Sequence, residues 1–315
     1  MKQSKTASAC PGSIPDVVRP TTIIEAPRLA KRLGVDVFIA SETFQRTGSF
    51  KFRAAYNVAA SVPQNLLITA SSGNFGQALA CACSLLKKSC IVVMPTTSAQ
   101  VKIDAVREFG GQVELVDVQD KSRAERIAEL GQLHPEAYLA SSYDDELVIQ
   151  GNSSLGKELA SLRTPPDILV APVGGGGLIS GLITGIETSS RRICVFGAEP
   201  LLANDAARSL KAGKIIRNDI EPATIADGAR VLSLGQHNWK VIKNSLSTIV
   251  EVTESAITEA VRLLFGLANL KVEPTGALSI AAVMTSPELF RGHSVCCVVS
   301  GGNVDPSLYA RLLAG

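Results

Sequence analysis

Short apolar runs with β-strand character alternate with amphipathic helical patterns along most of this 315-residue chain. Parallel strands need long crossover connections, usually helices, so the alternation predicts an α/β fold with a parallel sheet buried between helices. Several of the runs are apolar without interruption, which indicates strands that are covered on both faces. The expected strands span residues 35–40, 66–70, 90–94, 113–116, 168–173, 193–198 and 295–299.

The clearest helical pattern spans residues 255–270, behind a candidate N-cap at Thr253. Side chains three and four positions apart lie on one face of a helix, so the apolar stripe of this segment is expected to face the core. The stripe consists of Ile257, Val261, Leu264, Phe265 and Ala268.

The composition excludes several classes of protein. Hydrophobic residues make up 46% of the chain and charged residues only 19%, which is too apolar for a disordered chain and predicts a large core. The 31 Lys and Arg residues are balanced by 29 Asp and Glu residues, and the scarce aromatic residues do not interleave with cations. We therefore expect no nucleic acid and no membrane surface as a partner.

The first ten residues contain no apolar segment, and no run reaches about 18 uninterrupted apolar residues, so a cytoplasmic location is predicted. The 7 cysteines are odd in number and contain no C-x-x-C pair, as expected in a reducing compartment. Four of them occur in apolar runs and are interpreted as buried structural thiols. These are Cys90, Cys194, Cys296 and Cys297.

Three loops made of small residues each follow a predicted strand and precede a predicted helix. In open α/β sheets, ligands bind at such loops because the carboxyl ends of strands and the N-termini of helices converge there. The side chains of these loops are mostly hydroxyls and amides, so together they predict one polar small-molecule site. The loops span residues 71–76, 174–177 and 300–303.

The second loop consists of four consecutive glycines, Gly174 to Gly177. Because it has no Cβ atoms, its backbone N–H groups can surround a dianion such as a phosphate without help from a lysine. A tight left-handed turn without a ligand is the plainer interpretation. A dinucleotide-binding loop is the third, because Gly175, Gly177 and Ser180 nearly satisfy G-x-G-x-x-G and Glu199 ends the next strand, although the third glycine is missing.

Lys51 follows Phe50 in a Thr-Gly-Ser turn that opens a predicted helix. Partial burial beside the phenylalanine would lower the pKa of this lysine and free its amine for Schiff-base chemistry. Most lysines are exposed, so on these residues alone a solvated surface lysine is the simpler interpretation.

The chain contains, in this order, Gly-Ser-Phe-Lys-Phe-Arg, Ser-Ser-Gly-Asn-Phe-Gly-Gln, Pro-Val-Gly-Gly-Gly-Gly-Leu and Ser-Gly-Gly-Asn. As a set, these motifs resemble those of the pyridoxal-phosphate enzymes of fold type II, the tryptophan synthase β-like family. The resemblance is to the serine/threonine dehydratase and serine racemase branch in particular. It extends from about residue 26 to about residue 305 and includes Glu-Pro-Thr-Gly-Ala at 273–277.

The resemblance implies two open, twisted parallel sheets flanked by helices and divided between two domains. Residues 1–65 and 144–315 would form a large cofactor-binding domain that is discontinuous in sequence, and residues 66–143 a small mobile domain. It also implies that the protein is a homodimer.

By the same resemblance, Lys51 is the lysine that forms a Schiff base with pyridoxal 5′-phosphate, and Phe50 is its neighbour at the ring. Asn74 matches the amide that hydrogen-bonds the phenolic oxygen of the cofactor, and Ser300 matches the residue that faces the pyridine nitrogen. A neutral hydroxyl there stabilises a carbanion less than a carboxylate would, which favours prompt loss of a β-substituent. The phosphate would bind to Gly174, Gly175, Gly176 and Gly177.

The resemblance implies that the substrate is an amino acid whose carboxylate binds at a helix N-terminus. The residues of this substrate loop are Ser71, Ser72, Gly73, Asn74 and Phe75. Phe75 stands where the branch normally has His, which points away from plain serine or threonine and toward a larger or less polar β-hydroxy amino acid.

The implied function is that of a dehydratase, or ammonia-lyase, which eliminates the β-hydroxyl of a serine- or threonine-like amino acid to give a 2-oxo acid and ammonia. Lys51 would act as the general base at Cα. Racemisation is the alternative, because the hydroxyl of Ser72 would lie on the face opposite Lys51, and a β-replacement reaction would use the same site. A non-catalytic cofactor- or nucleotide-binding module is the third hypothesis.

One further resemblance concerns a divalent cation. Glu199, the carbonyl of Ala203, and Asp205 match the family's E-x-x-x-A-x-D arrangement. Two carboxylates and a carbonyl suit Mg²⁺ or Ca²⁺, which would be structural or activating. The alternative is a pair of acids at the start of a helix on a solvated turn.

Overall fold

The computed structural model describes residues 17–71, 73–98 and 100–314. Within these ranges, the chain forms ten β-strands and twelve α-helices. The strands, β1 to β10, are Thr22–Glu25, Asp36–Ser41, Leu66–Ala70, Ser89–Pro95, Gln112–Val116, Tyr138–Leu139, Ile168–Pro172, Cys194–Pro200, Thr248–Val252 and Ser294–Val299. The helices, α1 to α12, are Pro27–Leu33, Lys51–Ser61, Asn74–Leu85, Gln100–Glu108, Arg123–Leu133, Glu146–Ala160, Gly177–Glu187, Asp205–Ala212, Gln236–Ser245, Glu254–Ala268, Leu278–Thr285 and Pro306–Ala314.

The larger sheet has the strand order β1-β2-β10-β7-β8-β9. Its pairs are parallel except for the edge strand β1, which is antiparallel to β2. Successive side chains of a strand point to opposite faces, and here both faces are covered. Val299 packs with α10 and α11 on one face, and Val298 packs with α6 and α7 on the other. Burial on both faces explains the uninterrupted apolar runs in the sequence.

The smaller sheet has the order β5-β4-β3-β6, and all of its strand pairs are parallel. One of its faces packs against α3 and α4, and this cluster also includes side chains of α2 such as Phe52. The sheet extends from Leu66 to Leu139, inside the segment 66–143 that is predicted to form the small domain. The division into domains and the mobility of the smaller one remain predictions.

A close approach of two helices fixes the position of the glycine loop. The backbones of α6 and α7 are so near that a Cβ atom on Gly185 would lie 2.2 Å from the carbonyl oxygen of Ser153. Any larger residue there would push α7 away from α6. The glycine loop directly precedes α7, so this packing sets where the loop lies on the sheet edge.

Most of the expected elements are confirmed. All seven expected strands are present, with ends that differ by at most two residues. Thr253 is the N-cap of α10, where its side chain accepts a hydrogen bond from Ala256 N. The three additional strands, β1, β6 and β9, are short, with 4, 2 and 5 residues, and too little pattern to identify from sequence.

Two expectations about single side chains are wrong. Phe265 belongs to the predicted buried stripe of α10 but is 51% exposed, with its ring edge-to-face against Tyr309. Ala260 takes its place in the core. Cys194 is exposed because it is the first residue of β8, whereas Cys90, Cys296 and Cys297 are buried.

Among the described residues, none of the helices combines the length and the hydrophobicity needed to span a bilayer.

A buried ion-pair network anchors α2, the helix that begins with Lys51. Arg53 is fully buried, and its Nε lies 2.7 Å from Oε2 of Glu42, while its Nη1 lies 2.6 Å from Oε1 of Glu158. Burial alone would lower the pKa of Arg53, but the hydrogen bonds and charges of the two glutamates raise it above its usual value. The network therefore ties α2 to the end of β2 and to α6.

Replacing Arg53 by Met should lower the free energy of unfolding by about 3–5 kcal/mol, because it leaves the carboxylate of Glu42 buried without a partner. Urea unfolding measures this loss. As a control, Arg107→Met removes an exposed ion pair with Asp104 (3.8 Å) and should cost less than about 1 kcal/mol. Equal losses in the two variants would contradict the anchoring role. Adding Glu42→Gln to Arg53→Met should restore part of the stability.

Candidate active site

The first and third small-residue loops meet at the first turn of α2, and the glycine loop is linked to it through Tyr143 and Ser142. The three loops follow β3, β7 and β10, at the carboxyl ends of parallel strands. The third loop contacts α2 directly, because the N–H of Phe50 donates to the carbonyl of Ser300 (2.9 Å) and Ser49 pairs with Gly301. The fold therefore brings together loops that are far apart in sequence, as predicted for one polar site.

Lys51 is partly buried between two aromatic rings. Its Nζ lies 5.1 Å from the ring centroid of Phe50 and 5.7 Å from that of Phe75, and it donates to the carbonyl of Ser142 (2.7 Å). Burial lowers the pKa of Lys51 to about 8, and the negative charge of Glu273 partly offsets this shift. A substantial fraction of the amine is therefore neutral at mildly alkaline pH, and a neutral amine is a nucleophile and a base.

Glu273 is a buried carboxyl group close to this amine. Its Oε1 accepts a hydrogen bond from Nδ2 of Asn74 (2.8 Å), and only 4% of the residue is exposed. Burial raises the pKa of Glu273, and the charge of Asp227 raises it further, whereas the bond from Asn74 and the charge of Lys102 oppose the shift. Glu273 thus carries a proton at a higher pH than an exposed glutamate does.

Asn74 connects the first loop to the third. Its Oδ1 accepts from Nδ2 of Asn303 (2.8 Å), and the same nitrogen donates to the carbonyl of Thr47 (2.7 Å). Together with the bond to Glu273, these contacts hold Asn74 at the start of α3 and fix which way its amide faces. One hydrogen of its Nδ2 is directed to Glu273, which leaves the second for another acceptor.

The glycine loop has no side chains, so a ligand there can bind only to its backbone groups. Gly176 is the N-cap of α7 and has φ = +93°, a conformation that few residues other than glycine adopt. A Cβ atom on Gly175 would lie 2.2 Å from Cδ2 of Tyr143, so the tyrosine ring is in contact with this backbone. The first N–H groups of α7 have no partner within the helix and are free to bind an anion.

The loop predicted to bind the substrate carboxylate precedes α3. Oγ of Ser71 accepts from the N–H of Gly73 (3.3 Å), which is the N-cap of the helix. Phe75 is 1% exposed and packs in the core beside α2, and its ring contacts the site at the amine of Lys51. Ser72 lies outside the described residues.

The predicted cation ligands lie at the start of α8. Both oxygens of Glu199 accept backbone N–H groups of this helix (2.9 and 2.8 Å). Oδ1 of Asp205 accepts from Asn218 (2.9 Å), whereas its buried Oδ2 has no hydrogen-bond partner among the described residues. Burial raises the pKa of Asp205 to about 6 and that of Glu199 well above its usual value. Ala203, the third predicted ligand, is buried in the short helical turn just before α8.

No cluster of three or more His, Cys, Asp or Glu side chains that could hold a metal ion occurs in the described ranges. The predicted set has only two carboxylates, and its third oxygen would be a backbone carbonyl.

Four residues of the site have no role predicted from the sequence. Asn303 lies in the third loop and Glu273 begins the Glu-Pro-Thr-Gly-Ala motif. Both residues therefore occur in motifs found in the sequence, but their contacts with Asn74 could not be predicted from it. Ser142 and Tyr143 carry no motif. They reach the site because the chain crosses there from β6 to α6, which only the tertiary structure shows.

Comparison with known proteins identifies the family. A family model described as pyridoxal-phosphate dependent enzyme matches residues 14–301. The L-threo-3-hydroxyaspartate ammonia-lyase of Pseudomonas sp is 36% identical over 299 residues, covering 94% of this chain and 93% of that protein. The serine racemase of Mus musculus is 33% identical over 306 residues, covering 93% and 89%. Among solved structures, a threonine deaminase from T.th. is 37% identical, with a TM-score of 0.85 and coverage of 91% and 92%.

These findings confirm the family resemblance, the α/β fold with parallel sheets, and the cofactor that the motifs implied. They also confirm the expected type of activity, a pyridoxal-phosphate-dependent lyase of the dehydratase type, with racemases in the same branch. The chain belongs to the family of pyridoxal-phosphate dependent enzymes.

Proposed function

We propose that this protein is an ammonia-lyase that acts on a β-hydroxy amino acid with a second carboxylate, of which 3-hydroxyaspartate is the simplest. The observation that carries the substrate assignment is the 36% identity to a protein named L-threo-3-hydroxyaspartate ammonia-lyase. Two arginines, Arg123 and Arg217, have charges that act on the hydroxyl of Tyr143, a residue that contacts the glycine loop. We propose that these cations attract a second substrate carboxylate, which serine and threonine lack.

The surroundings of Tyr143 are strongly charged. Burial raises the pKa of its hydroxyl, and the charges of Asp144 and Asp205 raise it further, whereas Arg217 and Arg123 lower it. Arg123 also lies 3.5 Å from Glu221, and Arg217 is exposed. Tyr143 contacts the glycine loop, and its neighbour Ser142 contacts Lys51. We propose that the two arginines attract the side-chain carboxylate of the substrate from the side of Tyr143.

The residues present fit pyridoxal phosphate. The glycine loop provides N–H groups where a Cβ atom would collide, as the phosphate requires. Oγ1 of Thr47 and Oγ of Ser49 are buried beside Lys51 without a hydrogen-bond partner among the described residues, which leaves polar atoms free for a ligand. When bound, the cofactor would withdraw electrons from Cα of the substrate, a chemistry that the amino-acid side chains here do not supply.

We assign the predicted roles to this chain's residues as follows. Lys51 would hold the cofactor and, once displaced by the substrate amine, take the proton from Cα. Asn74 would bind the phenolic oxygen with its second Nδ2 hydrogen, Phe50 would flank the ring, and Ser300 would face the pyridine nitrogen. The phosphate would bind to the glycine loop, Gly174 to Gly177.

The reaction balances without an oxidant. Loss of the Cα proton and of the β-hydroxyl releases one water and leaves an enamine. The released enamine tautomerises to an imine, whose hydrolysis consumes one water and releases ammonia. A 3-hydroxyaspartate substrate thus gives oxaloacetate and ammonia. The N-terminal turn of α3, with Ser71 and Gly73, would hold the α-carboxylate.

A serine-type racemase is the second candidate, supported by the 33% identity to mouse serine racemase. A racemase needs a second acid or base opposite Lys51, and Ser72 is the residue predicted for that role. We further propose that the protein is a homodimer, as the family resemblance implies, and that it is cytoplasmic, as its sequence predicts.

The two carboxylates of Glu199 and Asp205 fit a divalent cation such as Mg²⁺ or Ca²⁺. They are buried in the same site, and Oδ2 of Asp205 has no hydrogen-bond partner among the described residues, so a cation would find a desolvated anionic ligand. The carbonyl of Ala203 would add a third oxygen.

The pH dependence of cofactor incorporation tests the role of Lys51. Only the neutral amine attacks the cofactor, and the pKa of Lys51 is about 8, so the rate should rise with pH and level off just above that value. The absorbance of the bound chromophore, followed after adding pyridoxal phosphate to apoprotein, measures this rate, with N-acetyl-lysine methyl ester as the reference.

The variant Glu273→Gln removes a negative charge that favours the ammonium form, so it should shift this midpoint to lower pH. The exposed Glu288→Gln variant should not shift it. A rate that keeps rising to about pH 10, as for an exposed lysine, would show that Lys51 is not desolvated.

The substrate assignment is tested with a panel of L- and D-isomers of 3-hydroxyaspartate, serine and threonine, while oxo acid, ammonia and chirality are followed. We expect ammonia and oxaloacetate from 3-hydroxyaspartate at a kcat/KM at least about tenfold above that for serine. Arg217→Met should raise KM for 3-hydroxyaspartate about tenfold or more and leave KM for serine nearly unchanged.

The control variant Arg291→Met removes an exposed arginine in the turn before β10 and should change neither constant. Serine preferred over 3-hydroxyaspartate would refute the dicarboxylate assignment. Inversion of serine without ammonia release would identify a racemase instead.

Cation binding is tested by thermal unfolding of the holoenzyme after chelation. Adding about 1 mM Ca²⁺ or Mg²⁺ should raise Tm by several degrees, because a ligand that binds only the folded state stabilises it. Asp205→Asn should abolish this response, whereas Asp219→Asn, at an exposed loop position, should keep it. An unchanged Tm with both ions would mean that the two acids do not form a cation site.

A further inference from the structure

We propose that Asn238 is a positioning residue that fixes the orientation of the glycine loop for the phosphate of the cofactor. The inference rests on the proposed phosphate-binding role of Gly174 to Gly177 and is independent of which substrate the enzyme uses.

Asn238 is fully buried in the first turn of α9 and faces the glycine loop. Its Nδ2 donates to two backbone carbonyls, that of Gly175 (2.7 Å) and that of Tyr143 (2.9 Å). The N–H of Gly235 donates to the same Gly175 carbonyl (3.1 Å). The amide thus uses both of its hydrogens, one on the loop and one on the segment that crosses beside Lys51.

The contact with Gly175 determines where the next N–H group points. In a trans peptide, the carbonyl of one residue and the N–H of the following residue point in opposite directions. Because the carbonyl of Gly175 is held toward α9, the N–H of Gly176 points away from α9, toward the open side of the loop. That N–H is among those proposed to bind the phosphate.

A loop of consecutive glycines does not fix this orientation by itself. Rotation of the peptide between Gly175 and Gly176 changes ψ of one glycine and φ of the other, and glycine tolerates both signs of φ. Gly176 has φ = +93°, and as a glycine it could also adopt a negative φ. The peptide between Gly175 and Gly176 could therefore take at least two orientations. The hydrogen bonds from α9 select the observed one.

Asn152 makes a similar contact with a smaller consequence. Its Nδ2 donates to the carbonyl of Gly177 (3.0 Å), the first residue of α7. The helix itself orients that carbonyl, because such a carbonyl accepts from the N–H four residues later. The peptide between Gly175 and Gly176 lies before α7, so its carbonyl is not oriented by the helix and depends on hydrogen bonds from α9, including that from Asn238.

The same side chain links the loop to Lys51. Asp144 accepts from the N–H groups of Gln236 (2.9 Å) and His237 (2.8 Å), which fixes the start of α9 against the crossing segment. Asn238 holds the carbonyl of Tyr143 in that segment, and the adjacent carbonyl of Ser142 accepts from Lys51. Asn238 therefore helps to position both the glycine loop and the segment whose carbonyl accepts the hydrogen bond from Lys51.

The test compares the affinities of apoprotein for pyridoxal phosphate and for pyridoxal, which lacks the phosphate. In Asn238→Asp, a carboxylate replaces the amide that donates to two carbonyls, so the loop loses its orientation. We expect the Kd for pyridoxal phosphate to rise at least about tenfold and the Kd for pyridoxal to change less than about threefold. Circular dichroism and Tm establish that the variant is folded, and Asn238→Ser, which can serve only one carbonyl, is the second variant if the first does not fold.

Asn57→Asp is the matched control, because Asn57 is also buried and its Nδ2 also donates to a backbone carbonyl, that of Leu147 (2.7 Å). It lies on α2 away from the glycine loop, so it should affect both ligands equally. Equal losses for both ligands in Asn238→Asp, or no loss, would overturn the inference.

Gly176→Ala separates this inference from the proposal on which it rests. It disturbs the loop directly and should weaken only the binding of pyridoxal phosphate. If it does so while Asn238→Asp does not, Asn238 is not a positioning residue. If neither variant discriminates between the two ligands, the glycine loop is not the phosphate site and the inference fails with it.

Discussion

Removing the amine of Lys51 from bulk water disfavours its charged form, and the surrounding residues limit this effect with one carbonyl, one carboxyl group and two aromatic rings. The carbonyl of Ser142 accepts its hydrogen bond, and Glu273 contributes a charge that favours the ammonium. The balance leaves a pKa of about 8. An amine with that pKa can be neutral when it must attack or take a proton and charged when it must return one.

This environment requires parts of the chain that are distant in sequence. The ring of Phe75 comes from the unit built on the smaller sheet, Ser142 from the crossing into α6, and Glu273 from the segment before α11. Phe75 and Ser142 follow the neighbouring parallel strands β3 and β6, whose carboxyl ends lie on one edge of the smaller sheet, and the hydrogen bond from Asn74 joins Glu273 to that edge. Arg53, fully buried two residues after Lys51, holds α2 in place through its ion pairs with Glu42 and Glu158. The position of the Lys51 amine is therefore fixed by a helix anchored in the core.

The sequence predicts those parts of the candidate site that occur in the family's motifs or that follow strands directly. Lys51, Asn74 and the glycine loop are of this kind, because a loop between a strand and a helix occupies a predictable position in an α/β sheet. Tyr143 and Asn238 could not be found, since no local pattern indicates that a crossing segment and the start of α9 contact the glycine loop. Phe265 shows the same limit for the fold. Helical periodicity predicts which apolar side chains share one face of α10, but not how many of them the core buries.

The amine of Lys51 is expected to hold the cofactor covalently, and chemical trapping tests this most directly. Reduction of the yellow holoenzyme with borohydride, followed by digestion and mass spectrometry, converts a labile link into a stable pyridoxyl group. We predict one such group per chain, on the peptide that contains Lys51. A label on another lysine, such as Lys102, or a colourless protein with no label would contradict this role of Lys51.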